Sequence, residues 1–262
     1  MDQPPPMSES PPATPPAPPA TSIWSRLTNV LVEPGAVFEE VKASAHSAAN
    51  WLLPVALLSA AGVIAAFVMF SQPNIIQKIH EQQAKAIDKQ VEAGKLTRAQ
   101  ADQALAMAEK FTGPTMMTIF GSVGAVILSF IRVFWWGLIL WLISKIFLKQ
   151  RIGYRKAVEV AGLTQVIILL NTVVGTLLIV CFGKLGATPS LALALGEIDF
   201  NSKVHLLMAA ANVFYFWQVA VLSIGLARLS GASVPRALAF VGGYWLVTEL
   251  LLIACGLGQF AI

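Results

Sequence analysis

The chain has 262 residues, of which 56% are hydrophobic and only 12% charged, with a formal net charge of +4. That charged share is about half of what a typical soluble domain carries, which excludes an ordinary water-soluble globule and points to a membrane protein. Basic loops at a lipid surface account for the small positive balance, so no nucleic-acid partner is expected.

Residues 1–22 hold "PPPMSESPPATPPAPPATS", with neither the basic start nor the apolar core of a cleaved signal peptide. This composition cannot bury enough apolar surface to order itself, so the segment reads as a disordered Pro-rich tail. In residues 23–50 the pattern changes. Ile23, Trp24, Leu27, Val30 and Leu31 share one helical stripe, Pro34 and Gly35 interrupt it, and Val37, Phe38, Val41 and Ala45 form a second. Two short amphipathic helices ahead of a membrane span read as a cytoplasmic interfacial collar, lying flat on the bilayer or, equally, packed on neighbouring cytoplasmic loops. Its candidate docking residues are Trp24, Leu27, Leu31, Val37, Phe38 and Val41, with Trp24 and Phe38 at headgroup depth.

A helix needs roughly 20 mostly apolar residues to cross a bilayer. Five stretches qualify: 51–70, 116–147, 160–182, 204–227 and 237–260. The expected fold is therefore all-α, a polytopic membrane bundle of five transmembrane helices spanning residues 51–262. The second stretch would reach about 48 Å as one helix, well beyond the hydrocarbon core, so it must tilt or project into water. Between the first two spans, residues 71–114 read as an outer helical hairpin broken at "AGK", its second helix opened by a capping box of Thr97 and Gln100.

The loop after the second span carries Lys145, Lys149, Arg151, Arg155 and Lys156 with no acid before Glu159. A dense basic loop of this kind belongs on the cytoplasmic side. With five spans, that places the N-terminus in the cytoplasm and the C-terminus outside.

Several polar side chains fall within the apolar stretches: Arg132, Asn171, Asn212, Gln218 and Glu249. An ionisable group at mid-bilayer is costly unless paired or hydrated, so the expectation is a polar layer in which Arg132 pairs with Glu249 and the amides hydrogen-bond beside them. The blander alternative is structural glue between helices, with Arg132 snorkelling. A gapless shift of 80 residues also superposes the segment from Val133 on that from Val213, a faint internal repeat that sets Arg132 opposite Asn212.

Catalytic chemistry has little support. Cys181 and Cys255 lie in apolar spans without CxxC spacing and read as buried fillers, while His46, His80 and His205 are scattered without metal-ligand spacing. Neither a P-loop nor a Gly-x-Ser-x-Gly elbow occurs. No catalytic residue, metal or cofactor is expected, and an enzyme is the least expected class.

"SRLTNVLVEPGAVFEEVKASAHSAANWLLPVALLSAAG" resembles the pre-membrane segment and first span of bacterial Yip1-domain proteins, where a P-x-x-x-F-x-x-[VI] element (here Pro34, Phe38 and Val41) precedes Trp and the first helix. "GYRKAVEVAGLTQVIILLNTVV" resembles that family's entry into the third span. The resemblance implies five helices in the bacterial inner membrane, a cytoplasmic N-terminus and a membrane organiser of unassigned activity. The DLYGP-like element of eukaryotic relatives that bind small GTPases is absent, which puts a small GTPase partner in doubt. The preferred reading is a non-enzymatic scaffold that recruits protein or lipid, its partners being the lipid bilayer and other membrane proteins or a second copy of itself. The alternative is a small transporter or channel component built on the polar layer.

Overall fold

The computed structural model describes residues 21–196 and 198–258, so the expected disordered tail lies almost wholly outside the described residues. Among these there are eleven α-helices, one short 3-10 turn and no strand. The collar is α1 (Ile23–Val32) and α2 (Pro34–Ala43), followed by α3 (Ala49–Phe70). The hairpin is α4 (Pro73–Glu92) and α5 (Arg98–Phe111), and α6 (Pro114–Ile146) follows. Next come α7 (Tyr154–Leu163), α8 (Gln165–Phe182), the 3-10 turn Leu191–Ala194, α9 (Lys203–Ala210), α10 (Val213–Ser230) and α11 (Val234–Ala254). Five segments are long and apolar enough to cross a membrane: Ala49–Phe70, Pro114–Ile146, Tyr154–Phe182, Val213–Ser230 and Val234–Ala254.

Local chemistry explains where these segments depart from the expected ranges. The third span starts earlier, at Tyr154, and bends at Thr164, whose hydroxyl donates to the Ala161 carbonyl at 2.8 Å. The fourth is not one helix over 204–227. Asn212 adopts an extended conformation and caps α10, its side-chain oxygen accepting from Phe214 N at 2.9 Å. Backbone groups freed by this break find partners in the preceding loop, Val213 N donating to the Pro189 carbonyl at 3.2 Å. The fifth helix begins at Val234 with Pro235 in its first turn and stops before Gly256, which takes φ +77°. Equating Arg132 with Asn212 through the internal repeat therefore matches a mid-helix residue with a helix cap.

The short α7 is the centre of the collar end. Every residue from Ala157 to Leu163 is buried. Three neighbours reach it through missing side chains. A Cβ on Gly162 would stand 2.3 Å from Trp51 Cα, one on Gly137 would stand 2.7 Å from Val158 Cγ2, and one on Gly225 would stand 2.3 Å from Val160 Cγ1. Small residues let α3, α6 and α10 pack backbone-close around it, the mode of association that membrane helices use when apolar burial alone gives no preference.

Contacts between α3 and α6 set depth. Trp51 meets Phe134 with ring centroids 5.3 Å apart, and a Cβ on Gly62 would stand 2.6 Å from Ala125 Cβ. Antiparallel packing in this register puts Arg132 within about one turn of the level of Trp51, near the collar end of α3, and lets α6 overhang. A belt of rings runs from that level over the next two turns of α6: Trp136 against Tyr244 and Trp135 Nε1 donating to Tyr244 Oη at 2.9 Å, then Trp141 against Tyr154. Such belts mark a headgroup interface.

The glycine contacts make a direct prediction. Gly162→Ala drives its methyl into backbone and should lower stability by about 1–3 kcal/mol or more, whereas Gly124→Ala, whose added Cβ meets nothing within 4 Å, should be neutral or better. Thermal unfolding of the detergent-solubilised variants reads the difference; equal midpoints would refute the close crossing.

Candidate functional site

The collar packs most of its apolar face against the chain itself. Leu27, Val37, Phe38 and Val41, all candidate docking residues, are buried in the core together with Val30. α2 packs on α7 and α10, and Phe38 sits against Gly225. The Pro34-Phe38-Val41 element is thereby explained: Pro34 opens α2, and Phe38 and Val41 fill the space over α7 with no exposure. Burying these five apolar side chains contributes on the order of 10 kcal/mol before ordering entropy is subtracted. Trp24 remains 59% exposed and Leu31 is half-buried, so of the six docking residues the apolar surface still on offer is that of α1.

What fixes the collar is a polar network that the sequence did not reveal. Glu159 on α7 has no solvent exposure, and three groups from separate segments converge on it. His46 Nδ1 lies 2.9 Å from its Oε1, Lys156 Nζ lies 3.1 Å from the same oxygen, and Asn50 Nδ2 donates to its Oε2. Lys156 Nζ also donates to the carbonyls of Val41, Ser44 and Ala45 at 2.6, 3.0 and 3.2 Å, closing the C-terminus of α2. On the other side Arg26, itself buried, donates to Asn50 Oδ1 at 3.0 Å and pairs with Glu40 at 2.6 Å. Charge thus runs from Glu40 through Arg26 and Asn50 to Glu159, joining α1, α2, α3 and α7. No single-sequence signal marks His46 and Glu159 as partners, since they stand 113 residues apart.

Of the basic loop, Lys145, Lys149, Arg151 and Arg155 are exposed, and Lys145 sits over the Trp141 ring at 4.8 Å. Lys156 is engaged inside the network.

The candidate polar layer divides into separate places. Arg132, Asn171 and Asn212 line one cavity of about 420 Å³ between α3, α6, α8 and the start of α10, and Asn212 Nδ2 donates to Asn171 Oδ1 at 2.9 Å. Gln218 is buried elsewhere in α10 with its Nε2 unpartnered, and Glu249 on α11 has a buried Oε2 without a hydrogen bond. Arg132 and Glu249 form no ion pair within 4 Å, and only longer-range attraction remains between them. Cys181 and Cys255 are exposed on the helix surface and are not core fillers.

At the other end of the bundle Thr97 and Gln100 form their capping box, and the hairpin is anchored by Ile75 against Ile179 and Ala187 and by Lys78 Nζ donating to the Gly183 carbonyl at 2.7 Å. α5 buries only Ala101.

The helical order, the collar motif and the family comparison agree: the Yip1 domain matches residues 28–256. The chain belongs to the Yip1 domain family. Comparison with curated proteins and with solved structures gives no match. In this Yip1 domain the matched region begins inside α1 and takes in Glu40, His46, Asn50, Lys156 and Glu159 of the network, so most of the collar is part of the domain and not an appendage to it.

Two tests address the network. Glu159→Ala leaves Asn50, His46 and Lys156 without their acceptor and should cost about 3–5 kcal/mol, with new proteolysis between α2 and α3; Glu159→Gln should cost less because it keeps the shape. Limited proteolysis and thermal midpoints together report this. The second concerns pH. Burial pushes the Glu40 carboxyl up, but hydrogen bonds from Thr21 and Arg26 outweigh that and hold it below its ordinary 4.5. A carboxylate that is more acidic folded than unfolded contributes fully above the unfolded value and loses that contribution as pH falls through the folded one. The thermal midpoint of the wild type should therefore drop more steeply below pH 4.5 than that of Glu40→Gln; parallel curves would refute the assignment.

Proposed function

We propose that this protein is a non-enzymatic membrane scaffold whose collar forms a rigid platform for protein partners at the cytoplasmic face of the bacterial inner membrane. The observation that carries this reading is the immobilisation of α1 and α2 on the membrane domain through the fully buried Glu159. A platform held in one geometry presents its outward face without the ordering cost that a loose amphipathic helix meets on binding. That face offers Trp24 and Val32, 59% and 80% exposed, next to the paired charges Glu39 and Arg228 at 3.4 Å. Apolar anchors beside charges make a surface suited to a protein. The exposed bases of residues 145–155 serve the same end of the molecule by holding acidic headgroups.

Deleting residues 23–45 is a poor test, because it would strip the cover from α7 and α10 and unfold the domain. The sharper one is Trp24→Ala with Val32→Asp, both outside the core. Stoichiometric protein partners that co-purify with the wild type after gentle solubilisation should be lost in this double variant while its thermal midpoint stays unchanged. Retention of every partner by the variant would refute the platform.

A second reading, a small conduit, draws support from one feature: the fourth span breaks at Asn212, beside the cavity, and transporters commonly place such breaks at binding sites. Cysteine at Asn171, with Cys181 and Cys255 replaced, should react with water-soluble thiol reagents in a conduit and resist them in a scaffold.

A further inference from the structure

We infer that the cavity beside Arg132 is a binding site for one anionic phospholipid, its phosphate on the Arg132 guanidinium and an acyl chain along the α3–α6–α8 groove. This goes beyond the platform reading and shares none of its residues.

Three observations converge. The first is unmet charge. Arg132 is the one charged residue lining the cavity, and among the described residues it makes neither a hydrogen bond nor an ion pair within 4 Å; Glu249 on α11 attracts it only from farther away. The remaining polar groups there are uncharged, and most are already engaged. Ser129, Thr172 and Thr176 donate to the carbonyls of Ala125, Ile168 and Thr172 at 2.7, 2.9 and 2.7 Å, Thr188 pairs with Ser190, and Asn212 donates to Asn171, which leaves the Asn171 amide N–H and the Tyr215 hydroxyl as neutral donors beside the guanidinium. The start of α10 offers no free backbone donor, since the N–H groups of Val213, Phe214 and Tyr215 go to Pro189, the Asn212 side chain and the Asn212 carbonyl. The cavity therefore asks for negative charge at one place. Guanidinium is the side chain best suited to phosphate oxygens.

The second is depth. The register of α3 on α6 sets Arg132 within about one turn of the belt of Trp51, Phe134, Trp135 and Tyr154, which is where phosphates of the collar-side leaflet lie. Helical side chains lean toward the N-terminus of their own helix, and the N-terminus of α6 is at the hairpin end, so the guanidinium reaches from the belt into the cavity.

The third is the wall. From Arg132 toward the hairpin end the groove is lined by Leu58, Ala65, Met69, Leu128, Ile168 and Gly175, an apolar wall for a chain running along the helices. A Cβ on Gly175 would meet nothing within 4 Å, so the space in front of it is open. A volume of about 420 Å³ lies inside the roughly 300–1,000 Å³ range of ligand pockets. Head on the belt and tail toward mid-membrane is the orientation a lipid of that leaflet already has.

The test is native mass spectrometry of the full chain equilibrated with equal amounts of phosphatidylglycerol and phosphatidylcholine. The wild type should carry one tightly held phosphatidylglycerol in preference to phosphatidylcholine. Arg132→Gln should lose that preference by about tenfold, the worth of one charge-assisted contact. Gly175→Leu, which fills the groove and leaves the charge in place, should retain neither lipid, and Lys95→Gln, at the hairpin turn and outside the cavity, should behave as the wild type. Should Arg132→Gln prove unstable, Gly175→Leu against the wild type decides alone. Equal retention of the two lipids by the wild type, or unchanged phosphatidylglycerol in Gly175→Leu, would overturn the site.

Discussion

A carboxylate buried without exposure in the middle of a short helix is the constraint around which the collar end is built. Glu159 is surrounded by Ala157, Val158, Val160 and Ala161, all buried, so water cannot compensate its charge. Desolvating an ion is far more costly than burying an apolar group, and only donors brought to it by the fold can offset that cost. Asn50 comes from the start of the first span, His46 from the link before it and Lys156 from one turn away on the same helix. Because Lys156 simultaneously closes α2, the orientation of the collar and the charge balance of the core are one problem with one solution. The glycines at 137, 162 and 225 complete it by letting three spans approach closely enough to enclose α7.

This arrangement changes what the amphipathic segment is for. An amphipathic stripe of apolar residues fits a membrane surface or a protein surface equally well, since both remove the same area from water. Here the stripe is satisfied within the chain, and the opposite face of α1 is left outward. A Yip1 domain with its entry helices locked in this way has a fixed shape at one end, while the hairpin at the other end rests on few buried contacts.

Polar groups are handled differently at the two levels of the bundle. At the collar end the buried charges Arg26 and Glu159 meet partners at hydrogen-bond distance. One level further in, Asn212 donates to Asn171 and Arg132 stands against a cavity. The break at Asn212 is tolerated because the Pro189–Ser190 segment supplies backbone partners, as irregular backbone inside a membrane domain requires.

Hydropathy and length were enough to determine that this chain is helical, crosses a membrane five times and carries a hairpin between its first two spans, because each of these is a sum over neighbouring residues. Capping at Thr97 and Gln100 was equally legible, its partners being three residues apart. The family was readable because the Pro34-Phe38-Val41 element is local as well. The rest was decided by tertiary structure: the burial of Phe38, the break at Asn212, the depth of Arg132 and the convergence of His46, Asn50 and Lys156 on Glu159. The physical reason is common to all four. A residue's position along a helix does not say how far that helix slides against its neighbour, and the register here is chosen by glycine contacts and ring pairs between spans distant in sequence. Only once that register exists does an arginine in an apolar run become a group at an interface, and an unremarked glutamate the fixed point of the domain.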